Sequence, residues 1–130
     1  MTVLDTGQEQ FVCDGITVAE LAGELDIATT EETYALLVSL LVDNCVVVDL
    51  SAVEFIDASG VNALVQAVRE ASLAGRHLTL AAPSRQLVRI LDVLSLHQIL
   101  RSYSDVDAAR SAHARAQRGR GGGRVPPQVV

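Results

Sequence analysis

One stretch of sequence decides the fold of this chain: Val46-Val47-Val48-Asp49-Leu50-Ser51-Ala52-Val53-Glu54-Phe55-Ile56-Asp57-Ala58-Ser59-Gly60-Val61. It begins as a short apolar run rich in β-branched residues, which predicts a strand buried on both faces. After Asp57-Ala58-Ser59-Gly60 the apolar residues recur at helical spacing. The helix is predicted to begin at Ser59 or Gly60, with Ser59 as N-cap because its oxygen can accept a hydrogen bond from a free backbone N–H. The Ser59 hydroxyl is therefore expected at the positive end of a helix dipole, where negative charge is favoured.

Upstream of this stretch, the sequence predicts a β-hairpin. Asp14-Gly15 suits a two-residue turn between strands at residues 11–13 and 16–18. Residues 1–10 are polar and unpatterned, which predicts a loose lead-in. The second strand is expected to end near Gly23-Glu24-Leu25-Asp26.

A helix should follow, because Thr29 and Glu32 have the spacing of a capping box. Its apolar stripe comprises Tyr34, Leu37, Val38 and Leu41.

Downstream of the central stretch, helices and strands are predicted to alternate. The helix after Ser59 should stop at Ala74-Gly75, followed by a strand at residues 77–81. Ser84 should begin the next helix, residues 98–103 an edge strand, and Asp105 should cap the last helix. The inward side chains of the third helix are expected to be Leu87, Ile90, Leu91 and Leu94.

This order of elements predicts an α/β single domain with a mixed, largely parallel sheet packed with helices, since right-handed crossovers join parallel strands. The chain has 130 residues, enough for one buried core. The domain is predicted to span residues 11–116. Residues 117–130 are rich in Arg, Gly and Pro, and are expected to form a disordered tail.

Charge is distributed unevenly along the chain. Residues 1–57 carry twelve acidic side chains and no Arg, whereas residues 58–130 carry four acidic side chains and ten Arg. This asymmetry fits either an ordinary solvated surface or a dipolar surface that orients a partner protein. The net charge of −6 argues against nucleic-acid binding, which needs a basic face. The sequence has no Lys, which argues against an aspartyl-phosphate receiver at Asp49 and Asp57 and against a P-loop.

The Cys and His residues show no spacing typical of a metal site, so none is expected. Cys13 and Cys45 are expected to be buried thiols, which can pair only if their strands are neighbours. His77, His97 and His113 fall on separate predicted elements and are expected to be ordinary strand, loop and helix residues. Neither a Gly-x-Ser-x-Gly elbow nor a placed His accompanies Ser59, so a serine hydrolase is not expected. The sequence contains no long uninterrupted apolar segment, which favours a soluble, cytoplasmic protein without membrane contact.

Three motifs together resemble one known family. Asp49-Leu50-Ser51 followed by Phe55-Ile56-Asp57-Ala58-Ser59-Gly60 is similar to the signature of the STAS family, the bacterial anti-sigma factor antagonists. Gly23-Glu24-Leu25-Asp26 and Ala82-Pro83-Ser84 resemble two further stretches of that family. The resemblance runs from about residue 11 to residue 116, which is nearly the whole chain.

The resemblance implies a non-enzymatic regulatory protein without a cofactor of its own. Unphosphorylated, it would bind an anti-sigma factor that is also a serine kinase, and so free a sigma factor for transcription. Phosphorylation of Ser59 would end this interaction, and a metal-dependent Ser/Thr phosphatase would restore it. The ATP and Mg²⁺ would belong to the kinase. Whether the chain forms a homodimer is left open.

The resemblance also assigns roles to single residues. Ser59 is the phosphoacceptor, and Asp57 orients its hydroxyl or the loop. Gly60 permits close approach of the kinase and its nucleotide. Ala58 stands where the family often has a second Ser, which leaves Ser59 as the sole hydroxyl of the motif. The remaining partner-binding residues are Glu24, Asp26, Val61 and Asn62, with Val61 and Asn62 expected to be partly exposed.

Two other functions occur on the same fold and stay open. One is a regulatory domain that senses a ligand or nucleotide. The other is a subunit of a transport or stress-signalling assembly.

Overall fold

The computed structural model describes residues 2–5 and 15–121, with side chains described for residues 15–115. A five-stranded sheet has the strand order β1-β2-β3-β4-β5. β1 pairs antiparallel with β2, and the remaining neighbours pair in parallel. The strands are β1 (Thr2–Asp5), β2 (Ile16–Leu25), β3 (Cys45–Ile56), β4 (Leu78–Ala81) and β5 (Ser102–Tyr103). The helices are α1 (Thr30–Leu41), α2 (Ala58–Leu73), α3 (Arg85–Val93) and α4 (Val106–Gly121). The α/β fold with a mixed, largely parallel sheet is therefore confirmed.

The sheet separates two apolar clusters because successive side chains of a strand point to opposite faces. Val46, Val48 and Leu50 of β3 belong to the larger cluster, which also contains buried residues of α1, α2 and α3. Val47 belongs to the smaller cluster, which includes Ala109 of α4. Right-handed crossovers that step one strand at a time in the same direction place the connecting helices on one face. This explains why α1 to α3 share one face and α4 covers part of the other.

The N-terminal hairpin differs from the prediction. Thr2–Asp5 forms the antiparallel strand beside β2, with Asp5 opposite Thr17 and Leu4 opposite Val18. The segment that was expected to be a loose lead-in therefore supplies the strand that pairs with these positions of β2. The strand predicted at residues 11–13 lies outside the described residues. The Asp-Gly turn signal was local and gave no information about which segment returns to the edge of β2.

The helix boundaries mostly agree with those predicted from the sequence. Gly75 has φ +73° just after α2, and Ser84 Oγ accepts a hydrogen bond of 3.1 Å from Leu87 N at the start of α3. Leu94, predicted to point inward, is exposed instead. The reason is that α3 ends at Val93, so Leu94 lies beyond the last helical residue and no longer follows the inward stripe of the helix.

Helix α4 begins as predicted, because Asp105 Oδ1 accepts a hydrogen bond of 2.7 Å from Ala108 N. The helix continues to Gly121, into the segment that was predicted as a disordered tail from residue 117. Residues 122–130 lie outside the described residues.

Candidate functional site

The predicted site residues meet at the end of the sheet where strands β2 and β3 finish. β2 and β3 run in parallel, so their carboxyl ends lie side by side, with Leu25 opposite Ile56. The chain enters α1 from β2 and α2 from β3 at this end. We call the surface here the Ser59 rim, and define it as Glu24, Asp26, Asp57, Ala58, Ser59 and Asn62.

The N-terminus of α2 is capped by Asp57, not by Ser59 as the sequence predicted. Asp57 has extended backbone angles, and its Oδ1 accepts a hydrogen bond of 3.1 Å from Gly60 N. The helix begins at Ala58, so Ser59 lies inside the first turn. A carboxylate is favoured as N-cap because it satisfies a free N–H and interacts with the positive end of the dipole. Asp57 thus positions the loop, and the Ser59 hydroxyl is not needed as the cap.

Two threonines at the start of α1 make hydrogen bonds to residues of the Ser59 rim. Thr30 Oγ1 donates a hydrogen bond of 2.9 Å to the Ser59 carbonyl oxygen. Thr29 Oγ1 accepts from Asp26 N at 3.0 Å and donates to the Glu24 carbonyl at 3.0 Å. The capping box predicted for Thr29 is therefore not formed, since its hydroxyl closes the preceding turn and caps no helical N–H.

Gly60 and Val61 are buried, unlike the other predicted partner-binding residues. A Cβ atom at Gly60 would lie 2.4 Å from the Leu25 carbonyl oxygen and 2.8 Å from Ile56 Cγ1. Gly60 is thus required for α2 to approach the end of β2. Val61 was expected to be partly exposed, but it is only 3% exposed and belongs to the larger apolar cluster. Its place in the helical period already put it with the inward residues of α2.

The six residues of the Ser59 rim are all at least partly accessible. Ala58, Asn62 and Glu24 are exposed, whereas Ser59 and Asp57 are partly buried. Asp26 is also partly buried, and its Oδ1 accepts a hydrogen bond of 3.0 Å from Ala28 N. The Ser59 rim thus carries three carboxylates, those of Glu24, Asp26 and Asp57, at the end of the sheet where α2 begins.

Two large apolar residues near the Ser59 rim were missed by the sequence reasoning. Ile27, in the turn between β2 and α1, is 78% exposed. Phe55 is 42% exposed and pairs with Glu24 across the β2–β3 ladder. A large aliphatic residue within a polar turn was the available signal for Ile27. Phe55 carried no such signal, because an aromatic residue within a strand is also common in a core.

The Asp57 cap predicts a measurable stability effect. Replacing Asp57 with Ala should lower the free energy of unfolding by about 1 kcal/mol, the usual loss for an N-cap carboxylate. Asp57→Asn should retain most of the stability, because an amide oxygen can accept the same bond from Gly60 N. Urea denaturation followed by circular dichroism measures both variants. If Ala and Asn at this position were equally stable, the capping hydrogen bond would contribute nothing.

The sequence predicted that the three histidines are ordinary residues on separate elements, but the structure brings two of them together. His97 is exposed and its Nε2 pairs with Asp92 Oδ1. His77 and His113, by contrast, lie close to Cys45. Cys45 is buried, as expected for a thiol in the core, whereas Cys13 lies outside the described residues.

The sequence profile of the STAS domain matches residues 12–109. The chain belongs to the STAS domain family. This confirms the family predicted from the three motifs. No curated protein matches the chain by sequence.

Solved structures share the STAS fold. An anti-sigma factor antagonist from Mycobacterium paratuberculosis superposes with a TM-score of 0.68 at 21% identity, over 85% of this chain and 93% of that one. The Bacillus cell fate determinant SpoIIAA in its phosphorylated form gives 0.60 at 20% identity, over 82% and 99%. The murine anion transporter Slc26a9 gives 0.65 at 17% identity, over 76% of this chain and 18% of the transporter. Within the described part of this chain, no helix has the length and apolarity needed to cross a bilayer.

Proposed function

We propose that this STAS domain is an anti-sigma factor antagonist controlled by phosphorylation of Ser59. With Ser59 unmodified, the Ser59 rim binds an anti-sigma factor that is also a serine kinase, and the sigma factor held by that protein is released. When Ser59 is phosphorylated, the Ser59 rim no longer binds the anti-sigma factor. A metal-dependent Ser/Thr phosphatase removes the phosphate and restores binding. These partners act on transcription, so the proposal places the protein in the bacterial cytoplasm, and it assigns no catalysis to this chain.

The observation that carries the proposal is the position of Ser59. Its side chain is only partly buried, lies in the first turn of α2, and is not the helix cap. A kinase active site needs a hydroxyl that can reach the γ-phosphate, and a hydroxyl enclosed in the core would not meet that need. The rim also presents exposed side chains on both sides of Ser59, from the β2–α1 loop and from α2.

The proposed modification transfers one phosphoryl group. The bond between the β–γ bridging oxygen and the γ-phosphorus of ATP breaks, and a bond forms from that phosphorus to Ser59 Oγ. The hydroxyl proton passes to a base of the kinase, and ADP leaves with the Mg²⁺ of the kinase. The phosphatase reaction consumes water and returns the hydroxyl and inorganic phosphate.

The added phosphate is expected to change binding more than folding. It brings about −1.5 to −2 charges, which the start of α2 stabilises by roughly 0.3–1 kcal/mol. The carboxylate of Asp57, which caps the same turn, opposes this gain. Within a closely packed interface the charge must also lose its water, at a cost of several kcal/mol unless it is paired. The phosphate therefore acts mainly against the docked partner.

Ile27 and Phe55 extend the proposed contact surface beyond the polar rim. Both are exposed beside it, and an apolar side chain that enters a partner pocket can contribute more than about 1 kcal/mol to binding. We expect Ile27→Ser and Phe55→Ser each to weaken binding of the kinase by about tenfold or more, measured by calorimetry.

The matched control for these two variants is Leu73→Ser. Leu73 is 83% exposed at the far end of α2. That helix has 16 residues, so Leu73 lies about 20 Å from the first turn. This variant should bind as the unaltered protein does. Equal weakening by all three substitutions would mean that the partner does not dock at the rim.

Incubation with candidate anti-sigma factor kinases and Mg²⁺–ATP tests the proposed modification. Intact-mass spectrometry should show one added phosphoryl group, and peptide fragmentation should place it on Ser59. Ser59→Ala should remain unmodified, whereas Ser72→Ala, on the same helix, should be modified at the normal rate. Phosphate found on another residue, or retained in Ser59→Ala, would contradict the proposed acceptor.

The similarity to Slc26a9 favours a second candidate, a regulatory domain attached to or associated with an anion transporter. This candidate predicts that the protein co-purifies with a membrane permease and that Ser59→Ala leaves its interactions unchanged. Co-purification with a kinase instead of a permease would favour the first proposal.

A further inference from the structure

Cys45, His77 and His113 form a cluster at the end of the sheet where β3 and β4 begin, opposite the Ser59 rim. One donor atom from each lies within 4.8 Å of the donor atoms of the other two. Cys45 begins β3, His77 directly precedes β4, and His113 lies on α4. β3 has 12 residues, so about 35 Å of extended strand separates this cluster from the rim.

The backbone positions two of these side chains. Val46 N donates a hydrogen bond of 2.9 Å to the His77 carbonyl, which aligns the beginnings of the two parallel strands. His77 Nδ1 then lies 3.4 Å from Cys45 Sγ. His77 N also donates to Cys45 Sγ at 3.2 Å, and such a bond stabilises negative charge on sulfur.

Packing of α4 against the sheet brings in the third side chain. Ala109 is fully buried in the smaller apolar cluster. His113 follows Ala109 by four residues, so it lies on the same face of α4. Its ring meets the ring of His77 edge-on, with centroids 5.2 Å apart and an interplanar angle of 76°.

His113 supplies an independent indication of a ligand site here. The side chain is only 9% exposed. Within the described part of the chain, neither its Nδ1 nor its Nε2 has a hydrogen-bond partner. A buried polar group without a partner costs about 1–3 kcal/mol. A ligand that binds an imidazole nitrogen would remove that cost for one of the two atoms.

The donor types and spacing fit a transition-metal ion. Thiolate and imidazole are the preferred ligands of Zn²⁺, with bonds of about 2.3 Å to sulfur and about 2.0–2.1 Å to nitrogen. In a tetrahedral site, these bond lengths place ligand atoms about 3.3–3.7 Å apart. The Cys45–His77 pair already has this separation, at 3.4 Å. The third donor needs to approach by no more than about 1.5 Å, since the donor atoms all lie within 4.8 Å of one another.

We propose that Cys45, His77 and His113 bind one Zn²⁺ ion as thiolate and two imidazoles. Binding displaces the thiol proton into solvent and leaves the fourth position of the ion to water or an external ligand. His77 is only partly buried, which gives the ion a path from solvent. The ion connects β3, β4 and α4, so it stabilises the docking of α4 on the sheet. This site is independent of the proposed phosphorylation.

Isothermal calorimetry of the full-length, reduced and chelator-treated protein with ZnCl₂ tests the site. We expect one ion per chain, and a rise in Tm when Zn²⁺ is added. Cys45→Ser and His113→Gln should each weaken Zn²⁺ binding by more than about 100-fold, because loss of a direct ligand exceeds the 10–100-fold loss typical of indirect contacts. His113→Gln keeps a side chain of similar length, and circular dichroism verifies its fold. His97→Ala is the control for surface histidines and should bind as the unaltered protein does.

Cobalt substitution identifies the ligands directly. The Co²⁺-loaded protein should show a sulfur-to-cobalt charge-transfer band that is absent in Cys45→Ser and present in His97→Ala and Cys13→Ser. Zn²⁺ affinity that is unchanged in both Cys45→Ser and His113→Gln would overturn the proposal, as would the absence of a one-to-one complex.

Discussion

Ser59→Asp should release the proposed kinase partner, while Ser59→Ala should keep it bound. Aspartate places a permanent negative charge where the phosphate would be, whereas alanine removes only a hydroxyl that is not required as the helix cap. Desolvation of an unpaired charge in an interface costs several kcal/mol. The affinity of Ser59→Asp for the kinase should therefore fall by more than about 100-fold. Calorimetry or surface plasmon resonance with the purified kinase measures the two dissociation constants.

Ser72→Asp is the matched control for this comparison. Ser72 is exposed on the same helix, but it lies in the last turn. It adds the same charge far from the Ser59 rim and should leave the affinity within about twofold, because solvent and salt screen exposed charges over about 10 Å. If Ser59→Asp bound as tightly as Ser59→Ala, the proposed switch would be wrong. Equal losses in Ser59→Asp and Ser72→Asp would indicate a general charge effect.

Gly60→Ala should destabilise the fold even though alanine favours helices. The new Cβ would lie 2.4 Å from the Leu25 carbonyl oxygen and 2.9 Å from Leu25 Cβ, so α2 must move away from the end of β2. Overpacking of this kind costs about 1–3 kcal/mol, and the gain in helix propensity of about 1 kcal/mol offsets only part of a larger clash. We expect the free energy of unfolding to fall by up to about 2 kcal/mol, measured by urea denaturation.

Ser59→Ala is the neighbouring control for Gly60→Ala. It changes a partly exposed residue in the same helical turn and should alter stability by less than about 0.5 kcal/mol. The comparison also separates two roles for Gly60. If the glycine served only the approach of a kinase and its nucleotide, Gly60→Ala would weaken binding and leave the free energy of unfolding unchanged.

Most of the secondary structure could be predicted because its signals are local. The apolar run at the start of β3, the glycine after α2 and the Ser84 cap of α3 each depend on a few neighbouring residues. The edge strand of β2 could not be predicted in this way. Pairing between Thr2–Asp5 and β2 is a contact between distant segments, and hairpin signals describe only the turn.

The site was predicted as a set of residues, but not as a surface. The sequence motif contains Asp57, Ser59, Gly60 and Val61 side by side. Only the packing of α2 against Leu25 and Ile56 decides that Gly60 faces inward, whereas the helical period already indicated this for Val61. Likewise, only the structure shows that Phe55, near the end of β3, is accessible.

The sequence by itself determined the family, the alternation of helices and parallel strands, and the serine at the start of α2. These features follow from hydrophobic period, turn residues and a contiguous motif, all of which act between near neighbours. Only the tertiary structure decided which motif residues are exposed, and that Cys45, His77 and His113 meet. The three residues lie on separate elements, and their distance depends on strand register and on how α4 packs against the sheet. Contacts of that kind have no fixed spacing along the chain, so no local pattern could indicate them.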